Sequence, residues 1–465
     1  MLTADQIGRR LDRLPVGRVH RRVVIAIGLG LFFEVFEIFL AGTIGTTLRT
    51  QYRLDQSTLE VLLASTFLGM FAGSVLLGGL ADRLGRRRAF LANLAWFSLW
   101  SVAGALAPTA WVLMATRFLA GIGIGAEYPV ADAYLADVLP AAHRARLAAW
   151  AYTVSFAAVP VLGFASAVLV DHRPAGLDGW RVLLLVGALG AALVGLLRRG
   201  LPESPRWLAE QGRLTEATVA LAAFEQFEPK ASSGAAGEQP QRPSETTQRP
   251  DSGQNHPGHS HLGHSRRLLR TEPYPRRLAM MAVFHLFQPF GYYGFGILAP
   301  LVLVSRGYSV VHSLLFTAAT ALGYPVGSLL AIPLLGWIER KYLIMIAAAT
   351  IGGSGLLFAT AHSPAAIVAF GFVTTLAANV FSNAYHVYQA EIFPTPIRAT
   401  AVGLTYSLSR LSSGLLPFIL IPVLDSAGPA AMFAVVLAAL AVVMVAIALF
   451  GPLTSGRPLE SINPL

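Results

Sequence analysis

Cysteine is absent from the 465 residues of this chain. Without a thiol, the chain can form no disulfide, no thiolate metal site and no cysteine-based active site. The sequence also has no phosphate-binding loop and, outside one polar segment, no histidine spacing typical of a metal site. We therefore expect no cofactor and no enzymatic chemistry.

Charged residues are also scarce. They make up 13% of the chain, about half of the roughly 25% that is usual in soluble domains. Hydrophobic residues make up 54%, and the mean hydropathy is +0.58. A soluble chain of this length needs a polar surface to stay in solution, so the composition predicts a protein embedded in lipid. The formal net charge of +10 does not indicate nucleic-acid binding, because the basic residues lie between apolar runs.

Twelve apolar runs follow one another along the chain. Each is close to the length of about 20 residues that crosses the hydrocarbon core as a helix, and a long polar segment separates the first six from the last six. The sequence therefore predicts an all-α membrane protein with twelve transmembrane helices in two six-helix repeats. The predicted spans lie near 23–45, 59–80, 88–107, 112–136, 147–170, 181–198, 278–304, 313–336, 343–361, 365–390, 400–424 and 429–451.

The spans divide the chain into five predicted parts. These are a cytoplasmic N-terminal segment (1–22), an N-terminal bundle (23–198), a cytoplasmic linker (199–277), a C-terminal bundle (278–451) and a cytoplasmic tail (452–465).

The linker has two features of its own. Ser204 followed by Pro205 predicts the start of a short interfacial helix, because a hydroxyl caps a helix well and proline fits its first turn. Residues 229–265 are rich in Ser, Gly, Gln and Pro, so we expect them to be disordered. The four histidines at 256–264 are expected to be solvated rather than to form a metal site or a pH sensor.

The basic residues predict the orientation. If the N-terminus is cytoplasmic and the loops alternate, 28 of the 35 lysines and arginines fall on the cytoplasmic side and two within spans. The five on the outer side are Arg49, Arg53, Arg173, Arg181 and Arg306. This asymmetry is what the positive-inside rule demands of an inner-membrane protein with both termini in the cytoplasm.

An internal repeat supports the division into halves. Residues 136–145 and 390–399 share an acid, a proline, an arginine and an alanine at identical offsets, and the same register pairs Tyr152 with Tyr406. Transporters built from such repeats bind their substrate at the repeat interface near the midplane of the bilayer.

Five motifs resemble those of the major facilitator superfamily, and the resemblance covers nearly the whole chain. They are the loop at 78–88, the pattern from Arg117 to Gly125, the stretch 202–208, the repeated acid-proline-arginine element and the tail 451–460. The third and the last are similar to the sugar-porter and organic-ion branch. The resemblance implies a secondary transporter that works by alternating access.

The resemblance also implies which charges gate the cytoplasmic side. In family members the loop between spans two and three forms a charge-relay latch, so charges are expected to pair across the gate and separate when it opens. One departure is that Lys341-Tyr342 replaces the family's Gly-Arg in the second half. The implied gating residues are Asp82, Arg83, Arg86, Arg87, Glu127, Asp137, Arg144, Glu339, Arg340, Glu391 and Arg398.

Arg410 lies near the middle of span eleven, where a charge costs roughly 2.5–3.5 kcal/mol on insertion scales. It should therefore face the cavity and have a partner. The guanidinium fork matches a carboxylate, which favours a clamp for a substrate carboxylate. A permanent ion pair with an intramembrane acid is the alternative.

The candidate acids are Glu34 and Glu37, which share one helical face, together with Glu127 and Asp132. Glu34 or Asp132 is the expected proton carrier, with a fixed partner for Arg117 as the alternative. Glu127, beside Tyr128-Pro129, is expected in gating or in breaking the helix. The proton-coupling set is Glu34, Glu37, Asp132 and Arg117.

Polar and aromatic residues on spans five, seven, ten and eleven are expected to shape the substrate pocket. Span ten is too polar to face lipid, and spans seven and eleven resemble niacin-type, aromatic-acid and organic-ion carriers. With Arg410, the pocket residues are Tyr152, Phe287, Gln288, Tyr292, Tyr293, Asn379, Asn383, Tyr385 and Tyr406. Two nearby histidines, His285 and His386, could modulate pH dependence or be structural.

The sequence thus predicts a monomeric inner-membrane carrier for proton-coupled uptake of a small organic acid, such as the aromatic carboxylate nicotinate. Its expected partners are that substrate, protons and the lipid bilayer. A sugar–proton symporter is the nearest alternative. An efflux pump for lipophilic compounds and a non-transporting receptor on a carrier scaffold are the others.

Overall fold

All regular structure in the described part of the chain is helical. The computed structural model describes residues 2–77, 84–140, 143–225, 270–455, 457 and 459–463. The predicted disordered segment 229–265 with its histidines, and the gating residues Asp82 and Arg83, therefore lie outside the described residues.

The helices of the first half run from the N-terminus to residue 225. They are α1 (Ala4–Arg13), α2 (Arg18–Gln51), α3 (Gln56–Leu77), α4 (Arg86–Ala105), α5 (Ala110–Val138), α6 (Arg144–Phe156), α7 (Ala158–Leu169), α8 (Gly179–Arg198), α9 (Pro205–Glu210) and α10 (Leu214–Glu225). Spans one to four are α2 to α5, span five is α6 with α7, and span six is α8.

The second half contains α11 (Tyr274–Ser305), α12 (Val310–Ala321), α13 (Gly323–Trp337), α14 (Arg340–Thr360), α15 (Pro364–Glu391), α16 (Thr395–Phe450) and α17 (Leu459–Ile462). Span seven is α11, span eight is α12 with α13, and spans nine and ten are α14 and α15. Spans eleven and twelve are the two arms of α16, which turns at Gly428, where φ is +84°.

These twelve spans confirm the predicted fold. Ten stretches of the described residues are long and apolar enough to cross a membrane, and one of them, Ala401–Phe450, contains two spans. These stretches account for eleven spans, and the remaining one is span three (α4), whose hydropathy is lower and which begins with three arginines. Chains that cross an even number of times have both ends on one face, which we call the terminal side.

Spans five and eight are each broken in the middle. The breaks fall at Ala157 and at Leu322, and a proline stands three residues after each, at Pro160 and Pro325. Proline has no N–H for the preceding turn and crowds its carbonyl, so both helices are interrupted there. The two broken spans face each other, since Thr153 Oγ1 donates to Ser328 Oγ across 3.1 Å.

The repeated element has the same structure in both halves. Arg144 Nε donates to the Leu139 carbonyl at 3.3 Å, and Arg398 Nε donates to the Phe393 carbonyl at 3.1 Å. In each case the arginine reaches back five residues, over the proline, to the end of the preceding span. The matching sequences therefore encode matching loop anchors.

The two halves pack tightly on the side opposite the termini. A Cβ on Gly42 of span one would lie 2.5 Å from the side chain of Ile297 in span seven, and one on Gly163 of span five would lie 2.7 Å from Ala318 in span eight. Small residues let helices approach closely in a membrane. The bundle is closed at this end.

A second, smaller core lies on the terminal side. Ile7 and Leu11 of α1 are fully buried against α9 and α10, where Trp207 and Leu221 are also buried. Ser204 caps α9, because its hydroxyl accepts from the Trp207 N–H at 3.0 Å. The helix and cap predicted after Ser204 are thus present.

The absence of cysteine allows a direct test of this topology. Arg88→Cys lies on the terminal side, and His362→Cys lies in the exposed loop between spans nine and ten. In intact cells a membrane-impermeant maleimide should label His362→Cys only, while Arg276→Cys, exposed on the terminal side, should match Arg88→Cys. Labelling of Arg88→Cys and His362→Cys from the same side would contradict the fold.

Candidate functional site

Arg410 sits at the centre of the bundle and is 2% exposed. Its Nη1 donates to the Tyr293 hydroxyl at 2.7 Å, and its Nη2 donates to the Tyr406 hydroxyl at 3.1 Å. The guanidinium carbon also lies 5.1 Å from the centre of the Tyr406 ring. Spans seven and eleven therefore fix the orientation of the cation through two predicted pocket residues, Tyr293 and Tyr406.

The two acids of span one have different environments. Glu37 pairs with Arg117 of span four at 2.5 Å, and Arg117 Nη2 also donates to Ser101. Glu34 is fully buried, and neither of its carboxylate oxygens has a hydrogen-bond partner in the described part of the chain. The partner of Arg117 is thus Glu37. The alternative in which Glu34 or Asp132 is the fixed partner of Arg117 is therefore wrong.

Glu127 forms a second buried ion pair, which the sequence did not predict. Its Oε1 lies 3.1 Å from Nη1 of Arg198, at the end of span six. Arg198 also donates to the carbonyls of Ala26 and Ile27, and a Cβ on Gly30 would overlap its guanidinium. Arg198 is one of the 28 basic residues expected on the cytoplasmic side, because it lies at the edge of an apolar run. Arg198 instead lies inside the bundle, where its contacts join spans one, four and six.

Asp132 lies near the terminal end of span four and accepts a hydrogen bond from the Tyr152 hydroxyl of span five. Its side chain is exposed, although Glu34 and Tyr406 lie within electrostatic range of it. Asp132 therefore lies between the exposed terminal side and the buried groups of spans one and eleven.

Spans seven and ten contribute most of the remaining predicted pocket residues. Gln288 donates to Ser409, the neighbour of Arg410, at 3.1 Å. Asn379 donates to the Tyr324 carbonyl at 2.5 Å, and Asn383 donates to the Asn379 carbonyl at 2.8 Å. The two asparagines thus stabilise the helices.

Two further predicted pocket residues differ in their surroundings. Tyr385 packs against the rings of His285, at 5.8 Å, and Phe284, so it borders the polar groups near Arg410. Phe287 stacks on Phe290 at 6.3 Å and has no ring contact with the Arg410 cluster among the described residues.

An aromatic cluster lies between the halves on the closed side of Arg410. Tyr292 and Tyr293 of span seven are in edge contact at 4.8 Å. Tyr293 also contacts Phe67 of span two at 5.1 Å, and Tyr324 stacks on Phe156 of span five at 6.1 Å. Sequence reasoning missed Tyr324, because nothing in its own surroundings separates it from a core tyrosine.

The predicted gate charges pair within each half. Arg86 lies 3.5 Å from Asp137 in the first half, and Arg340 lies 3.4 Å from Glu391 in the second. We expected pairs across the gate, but these two join the start of one span to the end of another in the same half. Each pair holds its own half together on the terminal side.

The first half completes this network with the helices α1 and α9. Asp12 of α1 binds both Arg144, at 3.1 Å, and Arg206 of α9, at 2.7 Å. The backbone N–H of Arg87 donates to Glu203 at 3.1 Å. Arg87 and Arg144 therefore attach the terminal-side helices to the bundle.

The second half uses its tail instead. Glu339 accepts from the backbone N–H groups of Thr454, at 2.9 Å, and Ser455, at 3.0 Å. Partial burial alone would raise the pKa of Glu339, but these hydrogen bonds outweigh it and hold that pKa below its ordinary value. Lys341 Nζ donates to the carbonyls of Ala448 and Gly451, both at 2.9 Å. Lys341, the residue that departs from the family pattern, thus caps the end of span twelve.

Comparison with known proteins agrees with this architecture. The family described as sugar (and other) transporter matches residues 23–465. The chain belongs to the major facilitator superfamily. A putative metabolite transport protein of Bacillus subtilis, YyaJ, is 32% identical over 87% of this chain and 86% of its own length. The niacin transporter NiaP of Acinetobacter baylyi is 28% identical over 98% of this chain and 99% of its own.

The solved structures of the superfamily show the same fold. A partially occluded, inward-open structure of the xylose transporter XylE from Escherichia coli superposes with a TM-score of 0.72 at 20% identity. It covers 94% of this chain and 99% of the XylE chain. The predicted family and the major facilitator fold are therefore confirmed.

The two acids of span one should respond differently to neutralisation. Glu37→Gln leaves Arg117 buried without its counter-ion, so we expect it to destabilise the carrier by about 3–5 kcal/mol. Glu34→Gln removes no hydrogen bond and should change stability little. Unfolding of both variants in the same detergent measures the difference, and equal losses would contradict the assignment of Arg117 to Glu37.

Proposed function

We propose that this chain is a proton-coupled carrier that takes up a small organic acid, an aromatic carboxylate such as nicotinate, by alternating access. The observation that carries the proposal is Arg410, a nearly fully buried cation set between aromatic side chains of spans seven and eleven. A planar guanidinium offers a carboxylate two parallel hydrogen bonds, and the neighbouring phenol rings suit a flat substrate.

Glu34 is the proposed proton carrier. An ionised carboxylate without partners costs several kcal/mol in such a place, so Glu34 carries its proton in this conformation. Arg410 and Arg198 lie within electrostatic range of it, one from each half. When the bundle opens and water or a cation approaches, the proton leaves. Asp132 and Tyr152 then provide the exit toward the terminal side.

Substrate and proton are coupled because both act on the same electrostatic balance. A substrate anion on Arg410 offsets a positive charge within electrostatic range of Glu34, and the acid then favours its neutral form. Loading the anion and loading the proton are therefore mutually favourable. The carrier is therefore expected to move the organic anion and a proton in the same step.

A sugar–proton symporter is the second candidate, supported by the description of the matching family and by the fold shared with XylE. Among the predicted pocket residues, the amide of Gln288 binds Ser409, the neighbour of Arg410, and the amides of Asn379 and Asn383 bind helix carbonyls. Few amides are therefore left to bind the hydroxyls of a sugar. A neutral sugar also supplies no negative charge to compensate for the burial of the Arg410 cation. Competition of uptake by benzoate-like acids against hexoses separates the two candidates.

The carrier is placed in the cell inner membrane as a monomer with both termini in the cytoplasm. The distribution of lysine and arginine supports this orientation. The terminal side, with its ion-pair networks and the exposed Asp132, is then the cytoplasmic face, and the glycine-sealed side faces outward.

Uptake of radiolabelled nicotinate into proteoliposomes tests the roles of Arg410 and Glu34. Arg410→Gln should reduce uptake at least tenfold, since it removes a charge-assisted bidentate contact. Glu34→Gln should abolish accumulation driven by a pH gradient but keep exchange of substrate between the two sides, because the proton site is then fixed in its neutral form.

Matched controls are Arg276→Gln and Glu272→Gln, which neutralise an exposed pair on the terminal side and should transport as wild type. Uptake that survives Arg410→Gln would exclude the carboxylate clamp. Gradient-driven accumulation by Glu34→Gln would assign the proton to another acid, with Asp132 the first to examine.

A further inference from the structure

Two histidines and a glutamine form a hydrogen-bonded chain beside Arg410, and the proposed transport does not use it. His285 Nε2 lies 3.1 Å from Oε1 of Gln389, and Nε2 of the same amide lies 3.2 Å from Nδ1 of His386. His285 is fully buried on span seven, whereas His386 on span ten is half-buried. The hydrogen-bonded chain of side chains therefore runs from the buried core at His285 to a less buried position at His386.

The amide fixes the tautomers of both rings. Oε1 of Gln389 can only accept, so His285 carries its proton on Nε2. The amide nitrogen can only donate, so Nδ1 of His386 is the acceptor and the proton of that ring is on Nε2. His386 Nε2–H is left as a donor at the less buried end, and nothing in the described residues accepts from it.

At the buried end of the hydrogen-bonded chain, two polar atoms are left without partners. Nδ1 of His285 has a lone pair with no hydrogen-bond partner in the described part of the chain, and Oε1 of Gln288, one turn along the same helix, has none either. Buried polar atoms are nearly always paired. Both atoms are acceptors, so they need a donor such as water and are not the contact for the acceptor atoms of an organic anion.

Tyr406 places the histidines and Arg410 around one ring. The Tyr406 centroid lies 5.5 Å from that of His285 and 5.8 Å from that of His386, and 5.1 Å from the Arg410 guanidinium carbon. The cation and the donor thus flank the same phenol. A carboxylate on Arg410 directs the rest of a flat molecule along Tyr406 toward His386.

We propose that the His285–Gln389–His386 chain is a second recognition point, which selects aromatic acids that bear a hydrogen-bond acceptor on the ring, such as pyridine carboxylates, over plain benzoate. The inference rests on the proposed function, because Arg410 must first hold the carboxylate. His386 contacts the substrate, and Gln389 and His285 are positioning residues that keep its Nε2 protonated.

Nicotinate and benzoate form the test pair, since they have the same shape and charge and differ in one ring atom. Binding of each to the purified full chain is measured by isothermal titration calorimetry at neutral pH, where both are anions. Wild type should bind nicotinate about tenfold more tightly, which corresponds to one hydrogen bond. His386→Phe should weaken nicotinate to the level of benzoate and leave benzoate unchanged.

Gln389→Met provides a second variant that keeps His386 but no longer fixes its tautomer. It should reduce the preference for nicotinate without changing the affinity for benzoate, an effect that a general loss of packing would not produce. His362→Phe, in the exposed loop between spans nine and ten, is the control and should behave as wild type.

The outcomes separate this inference from the proposed function. If both acids bind through Arg410 with equal affinity, or if His386→Phe keeps the preference, the second recognition point is wrong and the carboxylate clamp stands. If neither acid binds, or if both bind equally well to Arg410→Gln, the proposed function fails and the inference fails with it.

Discussion

The cost of keeping charge among apolar helices is the constraint on which the rest of this structure depends. Among the described residues, Arg117, Arg198 and Arg410 lie within spans and are 3% exposed or less. Each is held differently. Arg117 is bound by Glu37, Arg198 by Glu127 and two backbone carbonyls, and Arg410 by two tyrosine hydroxyls.

The three arginines therefore differ in which halves of the bundle their contacts join. The pairs of Arg117 and Arg198 join helices of the first half to one another. Arg410 belongs to the second half, and Tyr293, which it binds, touches Phe39 and Phe67 of the first. Of the three arginines, Arg410 is therefore the one whose tyrosine partner reaches the other half of the bundle.

The fold could be predicted from the sequence because each span must satisfy its own backbone hydrogen bonds in lipid. Length, hydropathy and the placement of arginine then suffice. The pairings could not be predicted in the same way. Glu34 and Glu37 share a helical face, but only the neighbouring helices decide that Glu37 meets Arg117. Arg198 lies at the edge of an apolar run, and its burial follows from the notch at Gly30 on another helix.

The seal on the side opposite the termini has an energetic consequence. Gly42 and Gly163, which have no side chains, lie against Ile297 and Ala318. The two glycines therefore lose no side-chain entropy when these contacts form and regain none when they break. These glycine contacts depend on short-range dispersion, and a gap of about 0.5–1 Å already loses a quarter to a half of that attraction. The gate should therefore part abruptly rather than by gradual loosening.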